Sequence, residues 1–581
     1  MGFADLLEKV GSMGRFQHLN ISMLALPAFM MASHFLIQNF SGAVPRHHCR
    51  TLFDTNDSHY HNLSENVKSQ DLLRIFVPMD SKQKPESCVR FSSPQWNLLN
   101  FNYTQANMTG LETEPCRDGW IYDQTEFSST IISEWDLVCS YKSLKQFAQS
   151  IFMGGILTGG IIFGGLADRF GRKSILVWSY LQMAICGTCT AFAPSFTVYC
   201  IFRFFCGMAA SGIIFNCISL NMEWIPTRSR TFVGTLNGHF YTCGQLILAG
   251  LAYGIRNWHW LQITVSAPFF VYFLYSWWLP ESARWLVLNN KSEVAVKHLK
   301  RVAAFNGKKE EGDKITPELL ESEMQREILA AKSTLPVISL FHTPAMRHIS
   351  ICLAFAWFST SFAYYGLAMD LQNFGVSIYL IQVIFGAIDF PAKCACVLFM
   401  NYIGRRSTLV GFLIVSGLMV LSNVFVPKDM TVLRTAFAVL GKGGLAGTFT
   451  CVYLFTIELY PTVVRQTGMG FTNIMARIGA MIAPMVQMTA DYFQFLPLVI
   501  YGMAPVLSGI IAYFLPETLN MPLADTVDEV ENSRIVIAWE QCNSRKSFLI
   551  DECQVEFGMK QNHSCFGERR TAGCPELQHD L

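Results

Sequence analysis

Twelve stretches of about 20 mostly apolar residues follow one another along this 581-residue chain. Roughly 20 residues of helix span the hydrocarbon core of a bilayer, so the chain is predicted to cross a membrane twelve times. The stretches lie near 21–41, 146–166, 174–193, 196–220, 233–253, 260–279, 348–369, 376–399, 407–426, 432–457, 467–490 and 495–515. Charged residues are 15% of the chain, against about 25% in soluble domains, which argues against a soluble protein.

The direction of the spans follows from the basic residues of the short loops. The leader, residues 1–20, is charged and has no small-residue cleavage site, so the first span is predicted to be retained. Basic residues cluster in the loops on one side, at Arg169, Arg172, Lys173, Arg228, Arg230, Arg405, Arg406 and Arg465. Cytosolic loops carry such an excess, which places these loops and both termini in the cytosol.

The loop 42–145 between the first two spans is therefore predicted to be extracellular. It holds the cysteines Cys49, Cys88, Cys116 and Cys139 and the Asn-x-Ser/Thr sequons of Asn56, Asn62, Asn102 and Asn107. An even cysteine set beside clustered sequons predicts disulfides and glycosylation at the plasma membrane. Four cysteines allow three connectivities, and all three stay open.

Three short motifs occur twice, in the same order and at nearly constant spacing. The run Gly164 to Lys173 returns in shortened form as Asn401 to Arg406. Glu-x-x-Pro-x-x-x-Arg begins at Glu223 and again at Glu458, and Leu-Pro-Glu begins at Leu279 and again at Leu515. The simplest explanation is two similar six-span halves, which is typical of carriers that expose a central site alternately to each side.

The repeat also divides the chain. We expect a leader (1–20), a first half (21–280), a cytosolic helical linker (281–347), a second half (348–515) and a cytosolic tail (516–581). The charged residues of the motifs are predicted to pair in one conformation and separate in another, and the alternative is that they only anchor the loops. These candidate switch residues are Asp168, Arg169, Gly171, Arg172, Glu223, Arg230, Glu458 and Arg465.

The run Gly-x-Leu-Ala-Asp-Arg-x-Gly-Arg-Lys resembles the signature of the major facilitator superfamily. Glu134 to Cys139, Pro280 to Trp285 and Gly441 to Gly443 are similar to the solute carrier 22 family, up to about residue 530. Ser361 to Gly366 and Arg465 to Gly470 resemble its organic anion transporter branch. The resemblance implies an all-α membrane protein with twelve transmembrane helices in two six-helix halves, the major facilitator fold.

Ionisable residues well inside the spans are functional candidates, because burying a charge in a bilayer is costly. The bases are Arg203, Lys393, Lys442 and Arg477, and the only acid is Asp389. Asp389 and Lys393 are four residues apart and can form a structural pair on one helix face. Arg477 has no acid within a helical turn, which makes it the strongest anion-binding candidate. Its alternative role is a structural donor to backbone carbonyls.

The resemblance adds residues to this candidate site. In the anion branch, the arginine at the position of Arg477 and the lysine at that of Lys393 are associated with anion recognition. Tyr364, Tyr365, Tyr241, Phe449 and Asn39 match positions that line the cavity of that branch. The sequence departs from close relatives at Ile214, where they can carry a serine, so a polar contact from the fourth span is not expected.

The predicted function is secondary active transport of small organic anions across the plasma membrane. The resemblance implies exchange for an intracellular dicarboxylate such as α-ketoglutarate. No phosphate-binding loop for ATP, no catalytic cluster and no metal or cofactor signature is found, and a net charge of +1 argues against nucleic acid. The alternatives are a carrier of cations or zwitterions, a urate or sulfated steroid carrier, a membrane enzyme and a glycosylated receptor.

Overall fold

The structure is a computed structural model, and it describes residues 3–51, 69–80, 83–99, 111–226, 229–332, 337–427, 429–521, 523–524 and 526–532. The predicted glycosylation sites Asn56, Asn62, Asn102 and Asn107 lie outside the described residues. Arg228 and the part of the tail from residue 533 onward lie outside them too.

Each of the twelve apolar stretches forms a helical region. These regions are α1 (Arg15–Leu36), α2 (Ser143–Phe170), α3 (Arg172–Thr190), α4 (Phe196–Trp224), α5 (Arg230–Gly254), α6 (Trp258–Ser266 and Pro268–Ser276), α7 (Pro344–Ala368), α8 (Ile378–Tyr402), α9 (Arg405–Phe425), α10 (Thr431–Leu459), α11 (Arg465–Gln487) and α12 (Leu496–Ala512). In the described part of the chain, eight of them are long and apolar enough to cross a membrane by length and composition, namely α1, α2, α4 and α7 to α11.

The other four helices, α3, α5, α6 and α12, are shorter or more polar. α6 is divided where Ala267 precedes Pro268, and α12 has 17 residues. α5 carries Asn237, His239 and Gln245 along its length. Polar residues inside a bundle face other helices rather than lipid, which lowers the hydropathy of a helix without preventing it from spanning.

The same helix packing occurs in each half. In the first half, α1 packs on α5, α2 on α4, and α3 on both α4 and α6. In the second half, α7 packs on α11, α8 on α10, and α9 on both α10 and α12. The largest contacts between the halves, α2 with α11 and α5 with α8, are also equivalent under the repeat. The duplicated motifs therefore correspond to a duplicated structure.

Glycines allow the closest helix approach in the first half. Gly155 of α2 and Gly207 of α4 face each other, and a Cβ on either would clash with the backbone of the opposite helix. In a membrane the hydrophobic effect does not drive helices together, because lipid tails are as apolar as the side chains. Close packing of the helices contributes instead, and small residues permit it. The close approach therefore requires glycine at both positions.

The segment between α1 and α2 forms a small folded layer on one face of the bundle, here called the loop face. Strand β1 (His47–Cys49) pairs with β4 (Trp120–Tyr122), and β2 (Val89–Phe91) pairs with β3 (Thr113–Pro115). Two short helices, Ser69–Phe76 and Ile131–Glu134, accompany them. The disulfides are Cys49–Cys116 and Cys88–Cys139, which selects one of the three connectivities.

The opposite face, here called the motif face, carries the repeated motifs and the linker. The linker comprises the helices Ala283–Leu288, Ser292–Phe305, Lys309–Asp313 and Pro317–Lys332. All of them except Lys309–Asp313 share one apolar core with the N-terminal helix Phe3–Val10. Asn306 ties the two together, since its Oδ1 accepts from the Phe16 N–H (2.9 Å) and its Nδ2 donates to the Val10 carbonyl (3.2 Å). Because α1 begins at Arg15, this tie lies at its start, within the predicted leader.

Three acidic residues hold the motif face of the first half together. Arg172 Nε lies 3.5 Å from Glu223 Oε1, and Arg172 also pairs with Asp168 at 3.2 Å. Glu281 accepts the backbone N–H of Lys173 at 3.1 Å. Burial raises the pKa of the Glu281 carboxyl, and the N–H groups that it accepts oppose that rise.

The second half repeats this arrangement. Arg405 Nε lies 3.2 Å from Glu458 Oε2. Glu517 accepts the backbone N–H groups of Arg405 (2.7 Å) and Arg406 (3.1 Å). Among the candidate switch residues, Arg465 donates to the Tyr460 carbonyl at 3.1 Å. Glu458 at the end of α10 thus pairs with Arg405 at the start of α9.

The turn glycines of the two copies are required by this geometry. Gly171 and Gly404 have φ of 98° and 109°, a region that favours glycine. A Cβ on either would clash with the carboxylate of Glu281 or Glu517 respectively. The glycine, the base and the distant acid of each copy therefore form one unit.

Replacing Glu517 by Gln removes the charge shared by the N–H groups of Arg405, Arg406, Thr518 and Leu519. We expect the free energy of unfolding to fall by about 1–3 kcal/mol, because hydrogen bonds to a charged acceptor are lost. Thermal unfolding of the purified protein measures this change. Glu310→Gln, at an exposed linker position, is the matched control, and equal melting temperatures for the two variants would contradict the assignment.

Candidate substrate-binding site between the two halves

The predicted aromatic residues form one continuous row. The ring of Tyr364 lies 5.3 Å from that of Phe449 and 5.4 Å from that of Tyr365. Tyr365 stacks on Phe35 at 6.1 Å, and Phe35 contacts Tyr241 at 6.2 Å. Since α7 and α10 belong to the second half and α1 and α5 to the first, the row crosses the boundary between the halves.

Two further aromatic residues extend the row toward the motif face. The Trp357 ring lies 6.2 Å from Phe449 and 6.4 Å from Tyr453, and its Nε1 donates to Thr456 Oγ1 at 2.9 Å. Phe35, Trp357 and Tyr453 were not among the residues predicted from the sequence. Trp357 could have been predicted from the sequence, because it precedes Tyr364 by seven residues and so lies on the same face of α7.

Arg477 of α11 lies beside this row. The Tyr365 hydroxyl interacts with the Arg477 guanidinium and with the Tyr241 hydroxyl. Arg477 is half-buried, and its Nε is buried without a hydrogen-bond partner. No carboxylate of the described residues forms an ion pair with it. The guanidinium thus keeps donor capacity that a planar anion such as a carboxylate can use.

Lys393 of α8 contacts the first half directly. Its Nζ donates to Thr242 Oγ1 at 2.8 Å and to the Gly238 carbonyl at 3.1 Å, both on α5. Both acceptors are neutral. In the described part of the chain, Lys393 therefore has no ion-pair partner.

Asp389 pairs with Lys442. The alternative that Asp389 and Lys393 form a structural ion pair on one helix face is not found among the described residues. Lys442 Nζ lies 2.7 Å from Asp389 Oδ1, with both side chains 1% exposed. The packing of α8 on α10 places Lys442 opposite the carboxylate. Lys393 lies one turn further along α8, where α5 supplies its acceptors.

Gln245 of α5 connects this ion pair to the first half. Its Nε2 donates to Asp389 Oδ2 and to the Tyr364 hydroxyl, each at 3.3 Å, and its Oε1 accepts from Lys442 at 3.4 Å. One amide thus contacts both members of the pair and the central tyrosine. A buried pair needs such additional hydrogen bonds to offset the cost of removing its charges from water.

Arg203, the remaining buried base, has a structural role within the first half. Its guanidinium lies 4.2 Å from the centre of the Phe152 ring, and it donates to the His34 carbonyl and to Gln149 Oε1 at 3.4 Å each. It is fully buried. The structure therefore places Arg203 as a brace between α1, α2 and α4.

Asn39 lies apart from Arg477 and Lys393, toward the loop face. Its Nδ2 donates to the Ala368 carbonyl at 2.8 Å, which joins the two halves. Gln372 and Val44 form a second connection through two amide hydrogen bonds of 3.0 and 3.3 Å. The ion pairs of the motif face in the described part of the chain, in contrast, lie within one half. The halves are thus joined at the loop face, and Asn39 takes part in that junction.

The ion pair gives a prediction about stability. Lys442→Met leaves the Asp389 carboxylate buried and uncompensated, so we expect a loss of about 3–5 kcal/mol in the free energy of unfolding. Adding Asp389→Asn should restore part of this loss, because no charge is then left alone. Thermal unfolding of both variants and of Lys300→Met, a linker control, tests the prediction. A double variant no more stable than the single one would count against it.

The comparisons with known proteins agree with this architecture. Residues 99–528 match the family described as "Sugar (and other) transporter". The chain is 55% identical to solute carrier family 22 member 6-A of Xenopus laevis over 91% of this chain and 94% of that protein. It is 54% identical to solute carrier family 22 member 6 of Danio rerio over 92% and 94%.

The solved structures show the same fold. The inward open conformation of the xylose transporter XylE from E. coli superposes with a TM-score of 0.56, at 14% identity, over 89% of this chain and 99% of that one. These proteins are transporters and not enzymes, and the predicted major facilitator fold is confirmed. The twelve helical regions are consistent with the predicted number of spans. The chain is thus a multi-pass membrane transporter that belongs to the solute carrier 22 family of the major facilitator superfamily, in its organic anion transporter branch.

Proposed function

We propose that the protein carries amphipathic organic anions across the plasma membrane by alternating access and exchanges them for an intracellular dicarboxylate. The observation that carries the proposal is Arg477, a half-buried guanidinium between the halves with an unpartnered Nε and no carboxylate in an ion pair with it among the described residues. A positive charge in a medium of low dielectric attracts anions strongly and repels cations.

The pairing of Asp389 with Lys442 supports a negatively charged substrate. The only acid well inside the spans is neutralised by one base, so Arg477 and Lys393 are left as net positive groups. The row formed by Tyr241, Phe449 and their neighbours supplies apolar faces for a ring-bearing anion, and the tyrosine hydroxyls can orient its polar groups. Asn39 takes part in the junction between the halves at the loop face.

The proposed topology places the loop face outside the cell and both termini in the cytosol. The two disulfides on the loop face suit an oxidising compartment, and the basic residues of the motif face suit the cytosol. With the halves joined at the loop face, this structure corresponds to a state closed toward the outside. Transport then requires the junction to open while the motif-face clusters, the proposed switch residues, rearrange.

Removing the guanidinium tests the site. Arg477→Ala should reduce uptake of a labelled aromatic carboxylate at least tenfold, because a charge-assisted hydrogen bond is worth about 1.5–3 kcal/mol. Arg477→Lys should retain more uptake than Arg477→Ala, since it keeps the charge but not the planar fork. Uptake is measured in cells at equal surface expression, with Arg301→Ala on the linker as the control. Unchanged uptake in Arg477→Ala would exclude this residue from the site.

Exchange is tested separately. Preloading the cells with α-ketoglutarate should stimulate uptake of the labelled carboxylate, because the counter-substrate returns the carrier to its outward-open state. Uptake independent of preloading would contradict exchange but leave anion transport standing. Transport of an organic cation in place of the carboxylate would contradict the proposed negative charge of the substrate. Uptake of urate and of a sulfated steroid, measured in the same cells, compares these anions with the carboxylate.

A further inference from the structure

Four basic side chains meet at the motif face, beside the neighbouring ends of α3 and α6. Lys173 of α3 donates from its Nζ to the Trp277 carbonyl at 2.8 Å, which places it at the end of α6. The linker helix Ser292–Phe305 brings His298 within the electrostatic influence of Lys173. We call this group the basic cluster, and its members are Lys173, Lys297, His298 and Arg301.

The linker helix presents its part of the cluster on an exposed face. Lys297 and Arg301 are both exposed, and their spacing of four residues places them on the same face. Val294 and Phe305 lie at the two ends of this face and are 44% and 52% exposed. The opposite face, which includes Leu299, packs into the apolar core of the linker. Exposed bases between exposed apolar residues suit a bilayer surface, where apolar side chains enter the interface and charges meet headgroups.

The exposed bases have no internal counter-ion. No carboxylate of the described residues forms an ion pair with Lys297 or Arg301, and this includes Glu293, one helical turn before Lys297. The carboxylate that acts on Lys173 is that of Glu281. Glu281 is buried, and its oxygens accept backbone N–H groups. An external anion is therefore the available partner for the exposed side of the cluster.

His298 shows that the bases repel one another. Burial lowers the pKa of the His298 imidazole, and the positive charges of Lys173, Arg301 and Lys297 lower it further. A negatively charged group placed among these side chains offsets that repulsion, since an opposite charge nearby favours the charged form of each base.

The end of α6 marks the level of the membrane surface beside the cluster. Trp277 and Trp278 directly follow α6 and are 63% and 79% exposed. Tryptophan is enriched at the membrane–water interface, where its ring lies at the level of the headgroups. Because Lys173 donates to the Trp277 carbonyl, the cluster begins at the depth of the lipid headgroups.

The repeat provides an internal comparison. Arg406 and Tyr513 of the second half correspond to Lys173 and Trp277 of the first. The Arg406 guanidinium lies 5.5 Å from the centre of the Tyr513 ring, so it is covered by an aromatic side chain of its own half. Residues 516–532, which follow α12 as the linker follows α6, contain no Lys or Arg. The basic cluster is thus a feature of the first half and not a consequence of the shared fold.

We propose that the basic cluster binds the headgroup of an anionic phospholipid whose acyl chains lie along the exposed end of α6, where Leu274 precedes Trp278 by one turn. Lysine and arginine donate charge-assisted hydrogen bonds to phosphate oxygens. Anionic lipids are concentrated in the cytosolic leaflet and attract basic residues that lie near it. That the leaflet is the cytosolic one rests on the proposed topology, whereas binding of the lipid does not. The cluster lies outside the space between the halves, so lipid binding and not substrate uptake is its readout.

Binding is tested by native mass spectrometry of the purified full chain, with phosphatidylserine or phosphatidylcholine added at equal mole fraction in detergent. The wild type should retain at least fivefold more phosphatidylserine than phosphatidylcholine. Lys297→Gln combined with Arg301→Gln should lower bound phosphatidylserine at least fivefold and leave bound phosphatidylcholine unchanged, because each base near an anionic headgroup adds to the attraction. Equal retention of phosphatidylserine by the wild type and this double variant would overturn the proposal.

Matched variants separate this site from a general effect of charge. Lys308→Gln combined with Lys309→Gln removes two exposed linker charges outside the cluster and should retain phosphatidylserine as the wild type does. Lys297→Arg combined with Arg301→Lys keeps both charges and should do the same. A loss in the Lys308 and Lys309 variant as large as that in the cluster variant would contradict a specific site. His298→Glu, which adds a negative charge among the bases, replaces the cluster variant if that one does not fold.

A competition experiment distinguishes a lipid from a free anion. Inorganic phosphate should displace no more bound phosphatidylserine than chloride does at the same ionic strength, because it has no acyl chains to contact α6. Stronger displacement by phosphate than by chloride would contradict a lipid site and indicate a site for free phosphate instead.

Discussion

The ion pair between Asp389 and Lys442 determines the electrostatic character of the space between the halves. Asp389 is the only acid well inside the spans, and both side chains of the pair are buried. Once the pair forms, no membrane-embedded acid remains to neutralise Arg477 or Lys393. The unpaired bases of the proposed site therefore depend on which lysine meets Asp389, because a pair between Asp389 and Lys393 would leave Lys442 without its partner.

The same pair couples the two halves. Gln245 reaches it from α5, and the Tyr364 hydroxyl shares that amide, so the ion pair, the aromatic row and the interface between α5 and α8 form one network. A ligand that changes the position of Tyr364 changes a hydrogen bond of Gln245. A path by which binding between the halves biases their relative position is thus present in a few polar contacts.

The two faces of the bundle differ in how they are joined. At the motif face, each half has its own cluster of a base, an acid and a turn glycine, and these clusters preserve the internal structure of a half. At the loop face, neutral hydrogen bonds from Asn39 and Gln372 connect the halves, with one exposed ion pair beside them. Contacts of this kind are individually weak, which suits a junction that opens and closes.

Local properties of the sequence determined the spans, the two halves and the cysteine set, because apolar length, basic loops and repeated motifs are read without knowing which helices touch. They also determined the sign of the charge at Arg477. Only the tertiary structure decided that Asp389 meets Lys442, that Cys49 joins Cys116, that Trp357 and Phe35 extend the aromatic row, and that Asn39 lies at the loop-face junction. The physical reason is that these contacts depend on the rotation and packing of helices far apart in the chain, which spacing along one helix does not specify.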